Sequence, residues 1–280
     1  VPPLEALVEA GFDVALVVSQ PDKRRGRGSA RTPSPVKAAA QAHGIPTTST
    51  LDDALGVGAD LGVVVAYGRL IPTPVLQTLP MVNIHFSLLP RWRGAAPVER
   101  ALLAGDSETG VCLMEVAPEL DAGAVYARRI VPIDPRVTLA ELQAELVAAG
   151  SALLVEELTA GLQMPEPQVG EITYAAKLDA DDHQLRFDRP AVDAERVVRL
   201  GRAWTWFRHK RLKVLEAEPV PAAVVEAETA SPGSLAGSLV ATGDGWLRLT
   251  TVQPEGKRPM AADDWLNGVR PEPGERLGQR

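Results

Sequence analysis

Apolar and polar residues along the first half of the chain alternate as strands and helices taken in turn. Asp13-Val14-Ala15-Leu16-Val17-Val18 is a short apolar run between polar residues, as a buried strand requires. Leu61 to Ala66 and Met81 to His85 repeat the pattern. Gly110 to Val116 and Ala124 to Val131 read as further strands. Helix signals lie between them. Ser34-Pro35 opens a helix with a capping hydroxyl and a first-turn proline, and Gly44 closes it. Pro72 to Leu76 reads as a shorter helix. Thr138-Leu139-Ala140-Glu141 is a capping box ahead of a long amphipathic helix running towards Gly161. This alternation implies a mostly parallel sheet covered on both faces. The chain opens at Val1 with a helix that ends at Gly11. An α/β domain normally opens on a strand, so a strand and its turn are expected ahead of this start.

The pattern changes after Pro165. Residues 1–170 form the expected α/β domain, and residues 171–189, polar and mixed, a linker. From 190 to 280 a helix (Val192 to Gly201) leads into the strand-like runs Arg211 to Ala217, Ser238 to Thr242 and Trp246 to Val252. Gly- and Pro-containing turns separate them, and the spacing suggests a small β-barrel or sandwich.

Composition narrows the class. At 280 residues, 45% hydrophobic and 23% charged, the chain can bury a substantial core. A net charge of −7 argues against a wholesale nucleic-acid binder while leaving room for local basic patches. The single cysteine, Cys112, excludes an intramolecular disulfide framework and a multi-cysteine zinc site. It reads as a buried strand residue. No run reaches the roughly 18 apolar residues of a membrane span and no signal-peptide pattern is present, so a cytoplasmic, soluble protein without membrane contact is expected.

Candidate chemistry concentrates at one strand end. Asn83 and His85 alternate with Ile84 and therefore share a strand face. A carboxamide can donate to a developing oxyanion while an imidazole manages a proton, which suits acyl transfer. The same pair also fits a core histidine beside a strand terminus. Asp121, in the turn Glu119-Leu120-Asp121-Ala122-Gly123, offers a carboxylate to orient the ring, though aspartate also simply favours turns. Lys23, Arg24, Arg25, Arg27, Arg31 and Lys37 crowd a glycine-bearing stretch that reads either as a phosphate-gripping loop or as a solvated surface. A second cationic cluster comprises Arg196, Arg199, Arg202, Arg208, Lys210, Arg211 and Lys213. The histidines His43, His85, His183 and His209 show no metal-ligand spacing, and no metal is expected.

Taken together, Asn83-Ile84-His85, Ser87-Leu88-Leu89-Pro90, the Arg91-to-Pro97 segment and Leu120-Asp121-Ala122-Gly123 resemble the folate-dependent formyltransferases. Thr173-Tyr174-Ala175-Ala176-Lys177-Leu178, Gln253-Pro254-Glu255-Gly256-Lys257 and the basic loop narrow the likeness to the family acting on methionyl-tRNA. The resemblance implies a Rossmann-like, doubly wound catalytic domain and a smaller OB-like C-terminal barrel that binds tRNA. It implies formyl transfer from 10-formyltetrahydrofolate to the methionine α-amine on initiator Met-tRNA, by a monomer. Asn83, His85 and Asp121 would be catalytic. Ala66, Tyr67, Gly68, Ser87, Leu88, Leu89, Pro90, Val116 and Leu120 would surround the folate. Lys23, Arg24, Arg25, Arg27, Arg31, Arg208, Lys210 and Arg211 would contact tRNA. Rival readings are a sugar-nucleotide N-formyltransferase, the hydrolase portion of a formyltetrahydrofolate-using protein, and a catalytically impaired tRNA-binding relative. Two departures from the family pattern stand out. Ala203-Trp204-Thr205-Trp206-Phe207 replaces a proline-rich turn, and the family's opening strand with its glycine-proline turn is not in the sequence.

Overall fold

The computed structural model describes residues 1–24, 31–224 and 230–279. The chain divides into two compact units. Val1–Pro97, Glu108–Pro132 and Gln143–Ala176 make the first; Val98–Ser107, Ile133–Leu142 and the described part of Lys177–Arg280 make the second. No helix is long and apolar enough to cross a membrane among the described residues.

The chain begins with α1 (Pro2–Glu9), β1 (Val17–Val18), the antiparallel pair β2 (Lys23–Arg24) and β3 (Arg31–Thr32), α2 (Pro35–Ala42) and β4 (Thr47–Thr48). Ser34 Oγ accepts from the Lys37 backbone N–H at 3.2 Å and so caps α2. β1 and β4 pair in parallel. Then follow β5 (Gly62–Val65), α3 (Thr73–Thr78), β6 (Met81–His85), β7 (Arg93–Gly94), α4 (Pro97–Ala104), β8 (Glu108–Glu115), β9 (Val125–Pro132), α5 (Leu139–Ala160) and β10 (Tyr174–Ala175). The capping box of α5 is formed, with Glu141 Oε2 accepting from the Thr138 backbone N–H at 2.9 Å.

β5, β6, β8 and β9 make one sheet in that order. β5 and β6 are parallel, but β8 runs antiparallel to both β6 and β9. The sheet is therefore mixed, with its parallel pair at β5–β6. Residues 116–124 join β8 to β9 and are too few for the crossover a parallel pair needs. α5 covers one sheet face at close range: a Cβ on its Gly150 would stand 2.9 Å from Ile84 and 3.2 Å from Val111. Because side chains alternate along a strand, Asn83 and His85 project from the other face, beside their register partners Met114 and Cys112. The burial of Ile84 thus fixes which way the polar pair points.

Residues 171–189, expected as a linker, are packed into the units they join. β10 pairs in parallel with β7, and Leu185 and Phe187 belong to the core of the second unit. That unit continues with α6 (Ala191–Arg199), β11 (Trp204–Phe207), β12 (Lys210–Val220), β13 (Leu235–Ala236), β14 (Leu239–Ala241), β15 (Trp246–Pro254), β16 (Met260–Ala261) and α7 (Ala262–Val269). Its sheet runs β11-β12-β15-β14-β13, with β16 on β15. Irregularities at Glu216 bend β12. The C-terminal segment closes the sheet: Leu277 N–H donates to Gly233 O at 2.9 Å beside β13, and Gly278 N–H donates to Trp206 O at 3.0 Å on β11. Val214, Val240, Leu247 and Val252 fill the interior at 0% exposure, so the closed sheet encloses a core rather than a channel.

Arg208 and His209, with φ of 46° and 61°, form the two-residue turn between β11 and β12. Arg208 reaches from it to Glu275, with Nε–Oε1 at 2.6 Å and Nη2–Oε2 at 2.5 Å. The Arg208 guanidinium and the Glu272 N–H hold the Glu275 carboxyl down at about 2. A depressed carboxylate contributes stability above its unfolded value of 4.5 and loses it as pH falls through about 2. The thermal midpoint of the wild type is therefore expected to exceed that of Glu275→Gln near neutrality. The gap should narrow steadily on acidification across that range. A pH-independent gap in thermal unfolding would contradict the pairing.

Candidate active site

The candidate site lies wholly in the first unit, at the end of β6. His85 is buried, and its Nε2 lies 2.8 Å from the Trp92 carbonyl. A carbonyl only accepts, so Nε2 carries the proton and Nδ1 is turned elsewhere. Ser87, fully buried, bonds both backbone groups of Trp92. Its Oγ donates to Trp92 O and accepts from Trp92 N, both at 3.1 Å. The chain thus folds back on itself after β6, and one carbonyl orients the imidazole. The Asn83 carboxamide makes no hydrogen bond to the described residues, which leaves both its donors for a ligand.

Asp121 comes to this face from the turn after β8, with φ of 48°. Its Oδ2 accepts from the Gly94 N–H at 2.8 Å and stands 3.8 Å from His85 Nδ1. The carboxylate therefore faces the open ring nitrogen without bonding it directly. Gln168 secures the turn, its Nε2 donating to Asp121 O at 2.8 Å and Gly123 O at 2.9 Å. Its Oε1 accepts from Arg93 Nε at 3.0 Å and Nη2 at 2.8 Å. Buried Arg93 also meets Glu119 at 3.4 Å. Gly123 admits no side chain: a Cβ there would lie 1.9 Å from Glu115 O.

The residues expected around a folate lie at neighbouring strand ends. Ala66 and Gly68, with φ of 48° and 71°, flank half-buried Tyr67 in the turn after β5. Leu88 lies over Gly110, where a Cβ would come within 2.5 Å of it. Leu89 is buried with Cys112, Met114 and Val125, and Pro90 packs near Gly170. Val116 N–H donates to Met81 O at 2.9 Å, and Leu120 is 49% exposed. Ser87 spends its hydroxyl on Trp92 rather than facing outward. Burial pushes the Cys112 thiol up, against smaller pulls from the Leu89 backbone and Arg128, so it stays a neutral thiol.

The cationic residues are sorted by the fold. Lys23, Arg24 and Arg31 are exposed on the paired strands β2 and β3, and Lys37 pairs with Asp22 at 2.8 Å. Arg25 and Arg27 lie outside the described residues. Arg208 is engaged by Glu275, whereas Lys210 and Arg211 are exposed. Among the described residues, no group of three or more His, Cys, Asp or Glu could hold a metal ion. Reading the sequence missed Arg93 and Gln168 as a unit, because their bond spans 75 positions without any local spacing to mark it.

Residues 4–158 match the formyl transferase family, and residues 177–270 match the formyl transferase C-terminal domain. The chain thus carries the two domains of a formyl transferase. Methionyl-tRNA formyltransferase of Roseobacter denitrificans is 43% identical over 293 residues, spanning 98% of this chain and 94% of that protein. The Symbiobacterium thermophilum methionyl-tRNA formyltransferase is 41% identical over 296 residues, spanning 98% and 90%. In fold, the chain is similar to a crystal structure of an N-formyltransferase from Helicobacter canadensis in complex with folinic acid and dTDP-3-aminofucose. The TM-score is 0.67 and the identity 16%, over 90% of this chain and 94% of that one. The chain belongs to the methionyl-tRNA formyltransferase family.

The Asp121 turn has two separable supports. Gly123→Ala should force it off Glu115 O and cost about 1–3 kcal/mol in denaturant unfolding. Gln168→Ala removes the side-chain donors to Asp121 O and Gly123 O, and should lower kcat more than it raises the KM of either substrate. Wild-type kcat in Gln168→Ala would show that the turn holds without it.

Proposed function

We propose that the chain transfers the formyl group of 10-formyltetrahydrofolate to the α-amine of methionine on initiator Met-tRNA. Family membership supports formyl transfer and a folate co-substrate. The observation that carries the site assignment is the Asn83 carboxamide on the same strand face as a buried His85 fixed through Nε2, with Asp121 at 3.8 Å from Nδ1.

In this reading the amine attacks the formyl carbon and the formyl oxygen becomes an oxyanion. The Asn83 amide donates to it, and His85, protonated at Nδ1, supplies a second donor. Collapse breaks the bond to folate N10. The attacking nitrogen loses one proton and N10 gains one, with the Asp121 carboxylate and His85 relaying it through water. Asp121 also balances the imidazolium charge in a site sheltered from solvent. The turn Ala66-Tyr67-Gly68, Ser87 to Pro90, Val116 and Leu120 would hold the folate largely through backbone groups. Lys23, Arg24, Arg25, Arg27 and Arg31 would grip the acceptor end of the tRNA, and Lys210 and Arg211, with Arg208, its body. The domains in this reading are a catalytic part over 1–170 and a tRNA-binding barrel over 190–280.

The test combines the protein, 10-formyltetrahydrofolate and methionine-charged initiator tRNA. Formylmethionyl-tRNA is the expected product. No such product, with transfer to an amino-sugar nucleotide instead, would overturn the assignment. Asn83→Ala and Asp121→Ala should each lower kcat by about 100-fold or more while leaving tRNA binding nearly unchanged.

A further inference from the structure

We propose that Asp22 and Lys37 are positioning residues whose ion pair staples the base of the cationic segment 20–34, so that Arg24 and Arg31 are held side by side before tRNA arrives. The proposal rests on the tRNA reading above, and it assigns Lys37 to the staple rather than to a phosphate. The starting observation is where the fold spends its acid. Asp22 is the carboxylate that lies between Ser19 and Lys37 in the sequence, amid the basic residues named above. Lys23 and Arg24 follow it directly, yet its partner is Lys37 on α2, with Nζ–Oδ1 at 2.8 Å and both side chains half-buried. Lys23, Arg24 and Arg31 are exposed and form no ion pair among the described residues; Lys23 Nζ donates to the neutral Gln20 Oε1.

The strand register shows why a staple is needed. β2 and β3 set Lys23 opposite Thr32 and Arg24 opposite Arg31. Two guanidiniums directly opposite each other on an antiparallel pair repel, so these strands pair against their own side chains. A two-stranded ladder this short is marginal even without that repulsion. Contacts at both ends of the segment offset it. Ser19 extends the β1–β4 pairing, its N–H donating to Thr48 O at 2.9 Å. Its Oγ donates to Gln20 O at 3.1 Å and accepts from Ser34 Oγ at 2.7 Å, and Ser34 in turn caps α2. The hydroxyl pair joins the end of β1 to the start of α2, and the ion pair ties the outgoing arm to the first turn of the same helix.

A segment whose ends are already held loses less freedom on gripping a ligand, and the difference appears as affinity. A polyanion laid across Arg24 and Arg31 would also relieve their mutual repulsion. The staple makes a prediction opposite in sign to that of charge alone. Removing a carboxylate from a cationic segment should tighten a polyanion if net charge decides. It should weaken the polyanion if the carboxylate holds the segment in shape.

The experiment combines filter binding and formylation kinetics with methionine-charged initiator tRNA over a series of salt concentrations. It compares wild type, Asp22→Asn, Lys37→Met and the exchanged double variant Asp22→Lys/Lys37→Asp. Thermal midpoints report whether each fold is intact, and the exchange restores the pair without the native residues. Asp22→Asn and Lys37→Met should each weaken tRNA binding about fivefold and raise the tRNA KM to match, with kcat and the folate KM near wild type. The salt slope should keep its wild-type value in both, because neither side chain meets a phosphate. The exchanged variant should recover most of the affinity. Tighter binding in Asp22→Asn, or a slope lower by about 0.7–0.9 in Lys37→Met that the exchange does not restore, would overturn the staple. Those results in an enzyme that still formylates the tRNA would leave the main reading standing, whereas a wild type that neither binds nor formylates it would overturn both.

Discussion

The carbonyl of Trp92 is the group on which the site depends. It accepts from His85 Nε2 at 2.8 Å and from Ser87 Oγ at 3.1 Å, while the Trp92 N–H donates back to Ser87. Hydrogen bonds of this kind are worth only about 0.5–1.5 kcal/mol each in net stability. Their consequence for chemistry is larger, because a buried imidazole with one nitrogen committed has one orientation and one free nitrogen. That nitrogen faces Asp121. Without the fold-back after β6, His85 could rotate or exchange tautomers, and the carboxylate would have no fixed partner.

Two further constraints keep this arrangement in place. On the far side of the sheet, α5 approaches closely enough for Gly150 to need its missing side chain, which seals Ile84 and pins the register of β6. On the near side, Gln168 and Arg93 tie the Asp121 turn to β7. Rigid apolar packing sets the direction of the polar pair, and a satisfied polar network sets the distance to its partner. Each compensates for what the other lacks, since packing alone has no directionality and buried polar groups are costly unless bonded.

Much of this was legible in the chain. Met81 to His85 read as a strand because its apolar residues bracket Asn83, and β6 has those bounds. Ser34-Pro35 and the Thr138-to-Glu141 box marked helix starts through local chemistry, and both caps form. The direction of β8 was not legible, since an apolar run looks the same in parallel and antiparallel pairs. Nor was the engagement of Arg208, because Glu275 meets it from 67 positions away. The linker reading of 171–189 rested on polarity, which hid Leu185 and Phe187 as core residues. Asp121 was found through its turn motif, but its 3.8 Å separation from His85 depends on Gln168, which carries no local signal.

The most direct test is the tautomer of neutral His85, read by nitrogen-15 NMR of imidazole-labelled protein. With the Trp92 carbonyl as its partner, the neutral ring should carry its proton on Nε2 and leave Nδ1 free. A neutral ring carrying its proton on Nδ1, with Nε2 free, would contradict the site as described and the role given to Asp121.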